Sequence, residues 1–137
     1  MDCESRPPNN TPVGAQEELA RFIVDRRHLR EDGTVKSDPF VPWKHVELSM
    51  VRHQGLTEAE IWHFGDIVAE GLRRPILGRA DVSAGVFSSV QLTVEPRPLP
   101  RNPNHCDVVG WPSDTKDAQK LKALVIAKQA RYKPKTT

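Results

Sequence analysis

The sequence lacks any long apolar run and any segment typical of secretion. Its longest apolar stretches, such as residues 124–127, fall far short of the roughly 18 consecutive apolar residues that a membrane-spanning helix needs. The amino terminus is acidic and rich in proline, whereas a secretory signal has a basic segment followed by an apolar one. We therefore expect a cytoplasmic protein that makes no contact with a membrane.

Cysteine is scarce, and the residue spacings typical of metal sites are missing. The two cysteines, Cys3 and Cys106, lie far apart in the sequence, and Cys3 falls in a segment expected to be loose. A disulfide between them would mainly tether that segment, and a reducing compartment disfavours it. The chain has neither a CxxC pair nor an HExxH helix, so we predict no bound metal.

Glycine and aromatic residues are also sparse. The 8 glycines form no Walker-type or dinucleotide-binding loop, so we predict no nucleotide cofactor of those two folds and no other cofactor. Aromatic residues make up 6% of the chain and do not interleave with basic residues, as a surface for single-stranded nucleic acid requires. No motif in the sequence therefore names an activity.

Charge is balanced overall but not along the chain. The net charge of +2 comes from 20 Lys and Arg against 18 Asp and Glu. From Lys116 onward there are seven basic residues and one acid, a balance of +6, which leaves −4 for residues 1–115. Such a basic element can contact an acidic partner or nucleic acid, dock on the acidic body, or simply be a solvated lysine face. The candidate contact residues are Lys116, Lys120, Lys122, Lys128 and Arg131.

The chain is long enough to bury one hydrophobic core, and we predict a single domain. Residues 1–14 contain three prolines and almost no apolar side chains, so we expect a disordered arm there. The domain then covers residues 15–131 and ends in a basic helix. Residues 132–137 form a basic tail, and the oligomeric state is left open.

Several short strands are predicted. Residues 44–52 form the clearest one, because apolar and polar residues alternate from Val46 to Met50. Residues 15–30 suit both a helix and a strand, and we expect a short helix that leads into a strand. A tight turn is expected at the Asp-Gly pair 32–33. Further extended segments are expected at 76–82, 92–94 and 105–111, with a proline-rich loop at 96–104.

Two helices are predicted to pack on these strands. The first, at about 57–71, begins with a capping box in which Thr57 and Glu60 bond reciprocally. The second, at about 115–131, is capped by Asp114 and carries its lysines outward. Its predicted inward side chains are Ala118, Leu121, Leu124 and Val125. The mixture of strands and helices predicts an α+β domain with a mostly antiparallel sheet.

Two strands carry side chains suited to proton transfer. His105 and Asp107 share one face of an extended segment, whereas Cys106 points away. Residues Glu47 and Ser49 lie on the polar face of the 44–52 strand, with His53 at its exit. If the two strands were neighbours, His105 and Asp107 could supply a base and an orienting carboxylate to that face. The alternatives are an ordinary solvent-facing sheet surface and a histidine bonded to backbone.

Two arginines are candidates for binding an anion. Arg52 ends the 44–52 strand, and Arg79 lies in the predicted strand 76–82. A guanidinium is suited to phosphate or carboxylate, but Asp81 on the same strand face can hold Arg79 in an internal pair. The internal pair is the simpler interpretation for Arg79.

Three functional hypotheses remain. The favoured one is a non-catalytic binding or accessory module that contacts a protein partner. The second is a small enzyme for a phosphate-bearing substrate, such as a nucleotide or RNA, that uses the histidines, acids and arginines just described. The third is a nucleic-acid contact through the basic helix, with an affinity that falls as salt rises. Whether the chain is an enzyme is left open, with the balance against it.

Overall fold

A six-stranded sheet forms the centre of the computed structural model, which describes residues 3–136. The strands are β1 (Glu18–Ile23), β2 (Leu48–Arg52), β3 (Gly78–Ser83), β4 (Thr93–Pro96), β5 (His105–Val109) and β6 (Arg131–Pro134). Across the sheet they lie in the order β4-β5-β2-β1-β3-β6, and every neighbouring pair is antiparallel. The helices are α1 (Glu58–Leu72), α2 (Ala84–Ser89) and α3 (Lys116–Gln129). The predicted α+β class is confirmed.

The two faces of the sheet are covered by different helices. Alternate residues of each strand point to opposite faces, so β1 sends Leu19 and Ile23 to one side and Ala20 and Phe22 to the other. The first face packs in one apolar core with α2 and with Ala123 and Ile126 of α3. The second face packs in a separate core with Ile61 and Phe64 of α1. Because α1 packs mainly on β1, part of the second face over β2, β5 and β4 stays uncovered.

Helix α1 begins as predicted. The Glu60 amide donates to the Thr57 hydroxyl over 3.2 Å, and the Thr57 amide donates to the Glu60 carboxylate over 2.9 Å, which completes the capping box. Gly65 faces the Phe22 ring so closely that a Cβ there would overlap it, which lets α1 approach the sheet.

Helix α3 is rotated relative to the prediction. The buried side chains are Gln119, Ala123 and Ile126. Positions two residues apart lie about 200° apart around a helix axis, so Leu121 and Val125 face away from the core. The predicted inward set, Ala118, Leu121, Leu124 and Val125, is therefore wrong for its three large members, which are 68%, 37% and 42% exposed. The side-chain nitrogen of buried Gln119 donates to the carbonyls of His45 and Pro112 over 2.9 Å each, whereas no partner is found for Oε1 among residues 3–136.

The amino-terminal segment lies against the body, where the sequence predicted a disordered arm over 1–14. Arg52 is fully buried, and its guanidinium donates to the backbone carbonyls of Asn9 and Thr11. The same guanidinium forms a two-point ion pair with Glu17 over 2.6 and 2.8 Å. The composition of the arm gave no sign of this, because the acceptors that hold it are mostly backbone carbonyls. Residues 1 and 2 lie outside the described residues.

The carboxyl-terminal segment is a strand where the sequence predicted only a tail. Residues Arg131–Pro134 form β6, which pairs with β3 from Gly78 to Asp81. Three basic residues of this carboxyl-terminal segment reach acids of the body: Arg131 pairs with Glu18, Lys133 with Glu58 and Lys135 with Asp66. The basic element is therefore partly docked on the acidic body.

Other boundaries differ less. Residues 18–23 form β1 directly, with no helix before it, because β1 pairs with strands on both sides. Strand β2 begins at Leu48 and not at residue 44. The tight turn at Gly33 is present, with the Arg30 amide bonded to the Thr34 carbonyl over 2.8 Å. Among residues 3–136, no helix has the length and apolar character needed to cross a membrane.

We expect Arg52→Met to destabilise the protein by about 3–5 kcal/mol, because it leaves the nearly buried Glu17 carboxylate and several carbonyls without their partner. It should also expose residues 3–14 to proteases. Urea unfolding and limited proteolysis with mass spectrometry measure the two effects.

The matched control is Arg27→Met, whose guanidinium pairs with Asp25 but is 84% exposed, so that its loss should leave the free energy of unfolding almost unchanged. Unchanged stability and unchanged cleavage in Arg52→Met would show that Arg52 does not hold the segment.

Candidate functional site

The pairing of β2 with β5 brings the predicted polar residues together. Ser49 lies opposite Asp107, and Val51 lies opposite His105. Ser49, His105 and Asp107 therefore project from the uncovered part of the α1 face, beside Glu47 at the entrance to β2. Strand β4 is the other neighbour of β5 and ends at Pro96. The next residue, Arg97, therefore lies beside the same polar side chains. We call Glu47, Ser49, Arg97, His105 and Asp107 the groove cluster.

Arg97 is the centre of the hydrogen bonding in the groove cluster. Its guanidinium lies 2.9 Å from Asp107, 3.1 Å from Glu47 and 3.1 Å from Glu95. The bond with Glu47, followed by the charge of Asp107, raises the pKa of Arg97. Three carboxylates thus surround one permanent cation. The groove cluster carries a formal charge of −1 when His105 is neutral, and Glu95 beside it brings the total to −2.

His105 presents one ring nitrogen to the groove. Its Nδ1 lies 2.8 Å from the backbone carbonyl of Arg97, which can only accept, so Nδ1 carries the hydrogen. In the neutral ring Nε2 is then a hydrogen-bond acceptor. The nearest carboxylate oxygen, Oδ1 of Asp107, is 3.7 Å away, and no hydrogen bond to Nε2 is found among residues 3–136. The imidazole is only 10% exposed.

The arrangement differs from a serine-nucleophile triad. Ser49 Oγ donates to Asp107 Oδ1 over 3.4 Å, and in the described part of the chain no hydrogen bond joins it to His105. A serine nucleophile needs the histidine as its immediate base, with the carboxylate behind that histidine. Here the carboxylate itself accepts from the serine, and no hydrogen bond to a histidine is found for the hydroxyl among residues 3–136.

The groove has a volume of about 700 Å³ and is open to solvent. It is lined by Lys44, His45, Val46, Leu99 and the groove cluster. The volume lies within the range of small-molecule sites. No set of three or more His, Cys, Asp or Glu side chains in residues 3–136 is placed to hold a metal ion.

His53, Arg79 and Asp81 form a second cluster on the same sheet face. Asp81 lies 3.1 Å from Nε2 of His53 and 3.0 Å from Nε of Arg79, the internal pair expected from the sequence. Arg79 also pairs with Glu58 over 2.9 Å and lies 4.7 Å from the centre of the Trp62 ring. Hydrogen bonds from Arg79 and then Lys133 lower the pKa of Glu58 to about 2.

The predicted enzyme residues are divided among three places. Three strand spacings of roughly 4.8 Å, about 14 Å, separate His105 on β5 from Arg79 on β3. Arg52 projects to the face opposite His105 and is enclosed by Glu17 and the amino-terminal segment. Only His105, Asp107 and Glu47 therefore meet in one groove, while His53 and the two predicted anion-binding arginines lie elsewhere.

Cys106 takes no part in the groove. It projects into the core on the α3 face, is completely buried and carries a free thiol. Burial raises the pKa of the Cys106 thiol to about 12. A thiol in this position is held in its protonated form and is no nucleophile at neutral pH.

The basic residues of α3 and its surroundings divide into two groups. The ammonium of Lys122 donates to the carbonyl of Val90 over 2.6 Å, and Arg131 pairs with Glu18. Within residues 3–136, no ion pair is found for Lys116, Lys120 and Lys128. These three lysines are exposed on the same helix as Leu121, Leu124 and Val125.

Sequence reasoning missed two arginines. Arg97 was read only as part of a proline-rich loop, although the alternation of Glu95 and Arg97 around Pro96 places both on one side of an extended chain. Arg21 gave no signal. Its guanidinium donates to the carbonyls of Pro39 and Ser49 over 2.9 Å each, and burial lowers its pKa to about 10.

We expect the Cys106 thiol of a Cys3→Ser variant to be almost inert to Ellman's reagent at pH 8. A shift of the thiol pKa from 9.0 to about 12 reduces the thiolate fraction about a thousandfold, and the buried sulfur is also shielded from the reagent. The control is the same variant in 8 M urea, where the reaction should be immediate. Rapid labelling of the folded protein would show that Cys106 is accessible.

Comparison of the chain with protein-family models, with curated proteins and with solved structures finds no match.

Proposed function

We propose that this chain is a small non-catalytic binding module of the cytoplasm, and that the outer face of α3 docks on a protein partner. The partner segment is apolar at its centre and carries carboxylates at its rim. The observation that carries the proposal is the outward orientation of three large apolar side chains next to three lysines for which no ion pair is found among residues 3–136.

The apolar part of the face is contiguous. Leu121, Leu124 and Val125 are related by steps of three and four residues, which places them side by side on one helix surface. Single exposed leucines are ordinary on protein surfaces, but a cluster with a polar rim is typical of an interaction site. These three side chains lie outside because the helix buries its other apolar stripe, which contains Ala123 and Ile126.

The charged part of the face specifies the partner. Lys116, Lys120, Leu124 and Lys128 follow one another at four-residue spacing, next to the row of Leu121 and Val125. Two shallow grooves flank the helix. One, of about 260 Å³, lies beside Lys116 and Lys120, and the other, of about 380 Å³, lies beside Leu124 and Lys128. A partner with acidic residues around an apolar centre complements both components.

The same residues argue against nucleic acid as the partner. Of the five basic residues predicted to contact it, Lys122 and Arg131 are engaged within the protein. The remaining lysines lie next to apolar side chains, whereas protein surfaces that bind nucleic acid are strongly basic and polar.

An enzyme for a phosphate-bearing substrate needs an arginine that is free to bind the anion, and Arg52, Arg79 and Arg97 all have carboxylate partners. Arg52 is bound by Glu17, Arg79 by Asp81 and Glu58, and Arg97 by three carboxylates. A phosphate would have to displace these carboxylates, which at Arg52 and Arg79 already compensate a buried charge.

Photocrosslinking in the native cytoplasm tests the proposal. A photoreactive amino acid at position 121 should give adducts with one protein, attached to a segment that contains both apolar and acidic residues. Reversal of Lys116, Lys120 and Lys128 to Glu should reduce the yield at least about tenfold, because several complementary pairs become repulsive. Mass spectrometry identifies the attached segment.

The matched control places the same photoreactive residue at Leu72, an exposed leucine of α1 that is 56% exposed and belongs to the opposite face. It should give no such adduct. Adducts with nucleic acid, with lipid or with a second copy of the chain would contradict the proposal, as would an absence of adducts at position 121.

A further inference from the structure

The groove on the other side of the sheet contains a hydrogen-bond acceptor without a donor. No hydrogen bond to Nε2 of His105 is found in the described part of the chain. The side chain that carries this nitrogen is nine-tenths buried and lines the groove. Its tautomer is fixed, since Nδ1 donates to the Arg97 carbonyl. An acceptor that has no hydrogen bond, on a largely buried side chain at the wall of an open groove, is suited to a ligand that supplies a donor.

The surroundings of Nε2 favour a cationic donor. Oδ1 of Asp107 lies 3.7 Å from it, and Ser49 Oγ lies 3.4 Å from the same oxygen. Glu47 and Glu95 add negative charge, which Arg97 neutralises only in part. Lys44 also lines the groove and is a second cation there. An N–H donor placed between the imidazole and the carboxylate would bond to both, and a positive charge on it would strengthen both bonds.

A metal ion fits this place less well than an organic cation. Zinc takes three or four protein ligands, while the groove offers one imidazole nitrogen and one nearby carboxylate. No cluster of three metal-ligating side chains exists in residues 3–136. An ammonium group needs only acceptors arranged around its three N–H bonds, and Nε2, Asp107 and Ser49 supply them.

We infer that the groove binds a primary ammonium group, with His105 Nε2, Asp107 and Ser49 as its acceptors and Glu47 as a further negative charge at the rim. The group belongs either to a small free amine or to the lysine side chain of a peptide. This site is separate from the outer face of α3 and is independent of the function proposed for that face.

Titrations of the isotope-labelled full chain with four probes test the assignment. Butylammonium should bind saturably and shift the imidazole ¹H, ¹³C and ¹⁵N signals of His105. Tetramethylammonium has the charge but no N–H donor, and 1-butanol has the chain but no charge. Both should bind at least about tenfold more weakly, the factor expected for loss of a charge-assisted hydrogen bond. Nα-acetyl-lysine amide represents the lysine side chain of a peptide. If it bound more tightly than butylammonium, the ligand would be assigned to a lysine side chain.

Two variants localise the binding. His105→Asn keeps a donor near the Arg97 carbonyl but removes the Nε2 acceptor, and Asp107→Asn removes the central charge. Each should weaken butylammonium binding about tenfold or more. Glu31→Gln removes one exposed carboxylate in a remote turn and should leave the affinity unchanged. Circular dichroism confirms folding, and if Asp107→Asn does not fold, His105→Asn still decides.

Three results would overturn the inference. They are equal affinity for butylammonium and tetramethylammonium, undiminished binding by His105→Asn, and no shift of the His105 signals at 100 mM butylammonium. Tight binding of Zn²⁺ with loss of butylammonium binding would reassign the groove as a metal site.

Discussion

The register of β2 against β5 is the constraint on which the rest of the structure depends. Because Ser49 lies opposite Asp107, the polar residues of both strands face the same uncovered part of the sheet. The same register sends Met50 and Cys106 together into the core beneath α3. A slip of one residue would exchange the two sets and bury the charged side chains in the apolar core. Core and groove are thus two consequences of one strand pairing.

The protein neutralises most of its charge internally. Arg79 and Arg97 each lie among two or more carboxylates, and Arg52 pairs with Glu17. The basic residues of β6 and the residue that follows it are paired with acids of the body. A buried arginine without a carboxylate would be costly, so these pairs are conditions of the fold and not free binding groups. The charges on which the two proposals rest are three lysines on α3 and the incompletely neutralised carboxylates around Arg97.

Local sequence signals were accurate where one element determined them. The Thr57–Glu60 capping box, the start of α1 and the Arg79–Asp81 pair involve residues only a few positions apart, so spacing alone was sufficient. The rotation of α3 was not predictable in this way. Its apolar residues form two stripes, one containing Ala123 and Ile126 and the other containing Leu121 and Val125. Periodicity shows that both stripes exist, but only contact with the sheet selects one.

The site shows the same division. Alternation predicted that His105 and Asp107 share a face and that Cys106 lies on the other. These two residues could act on the polar face of the 44–52 strand only if the two strands were neighbours. That neighbour relation is a long-range pairing, over more than fifty residues, and no local pattern encodes it. The amino-terminal segment was expected to be loose because it lacks apolar residues, yet Arg52 holds it through backbone carbonyls that every sequence possesses.

The sequence by itself determined the α+β class, the two main helices and the chemical identity of the groups that are able to act. These follow from composition, periodicity and capping, which are properties of neighbouring residues. Only the tertiary structure decided which of those groups meet. It placed Arg97 among three carboxylates, left Nε2 of His105 facing a groove and turned Leu121 outward. The physical reason is that partners in charge neutralisation and packing are chosen by distance in space, and residues far apart in the chain become neighbours only when the sheet forms.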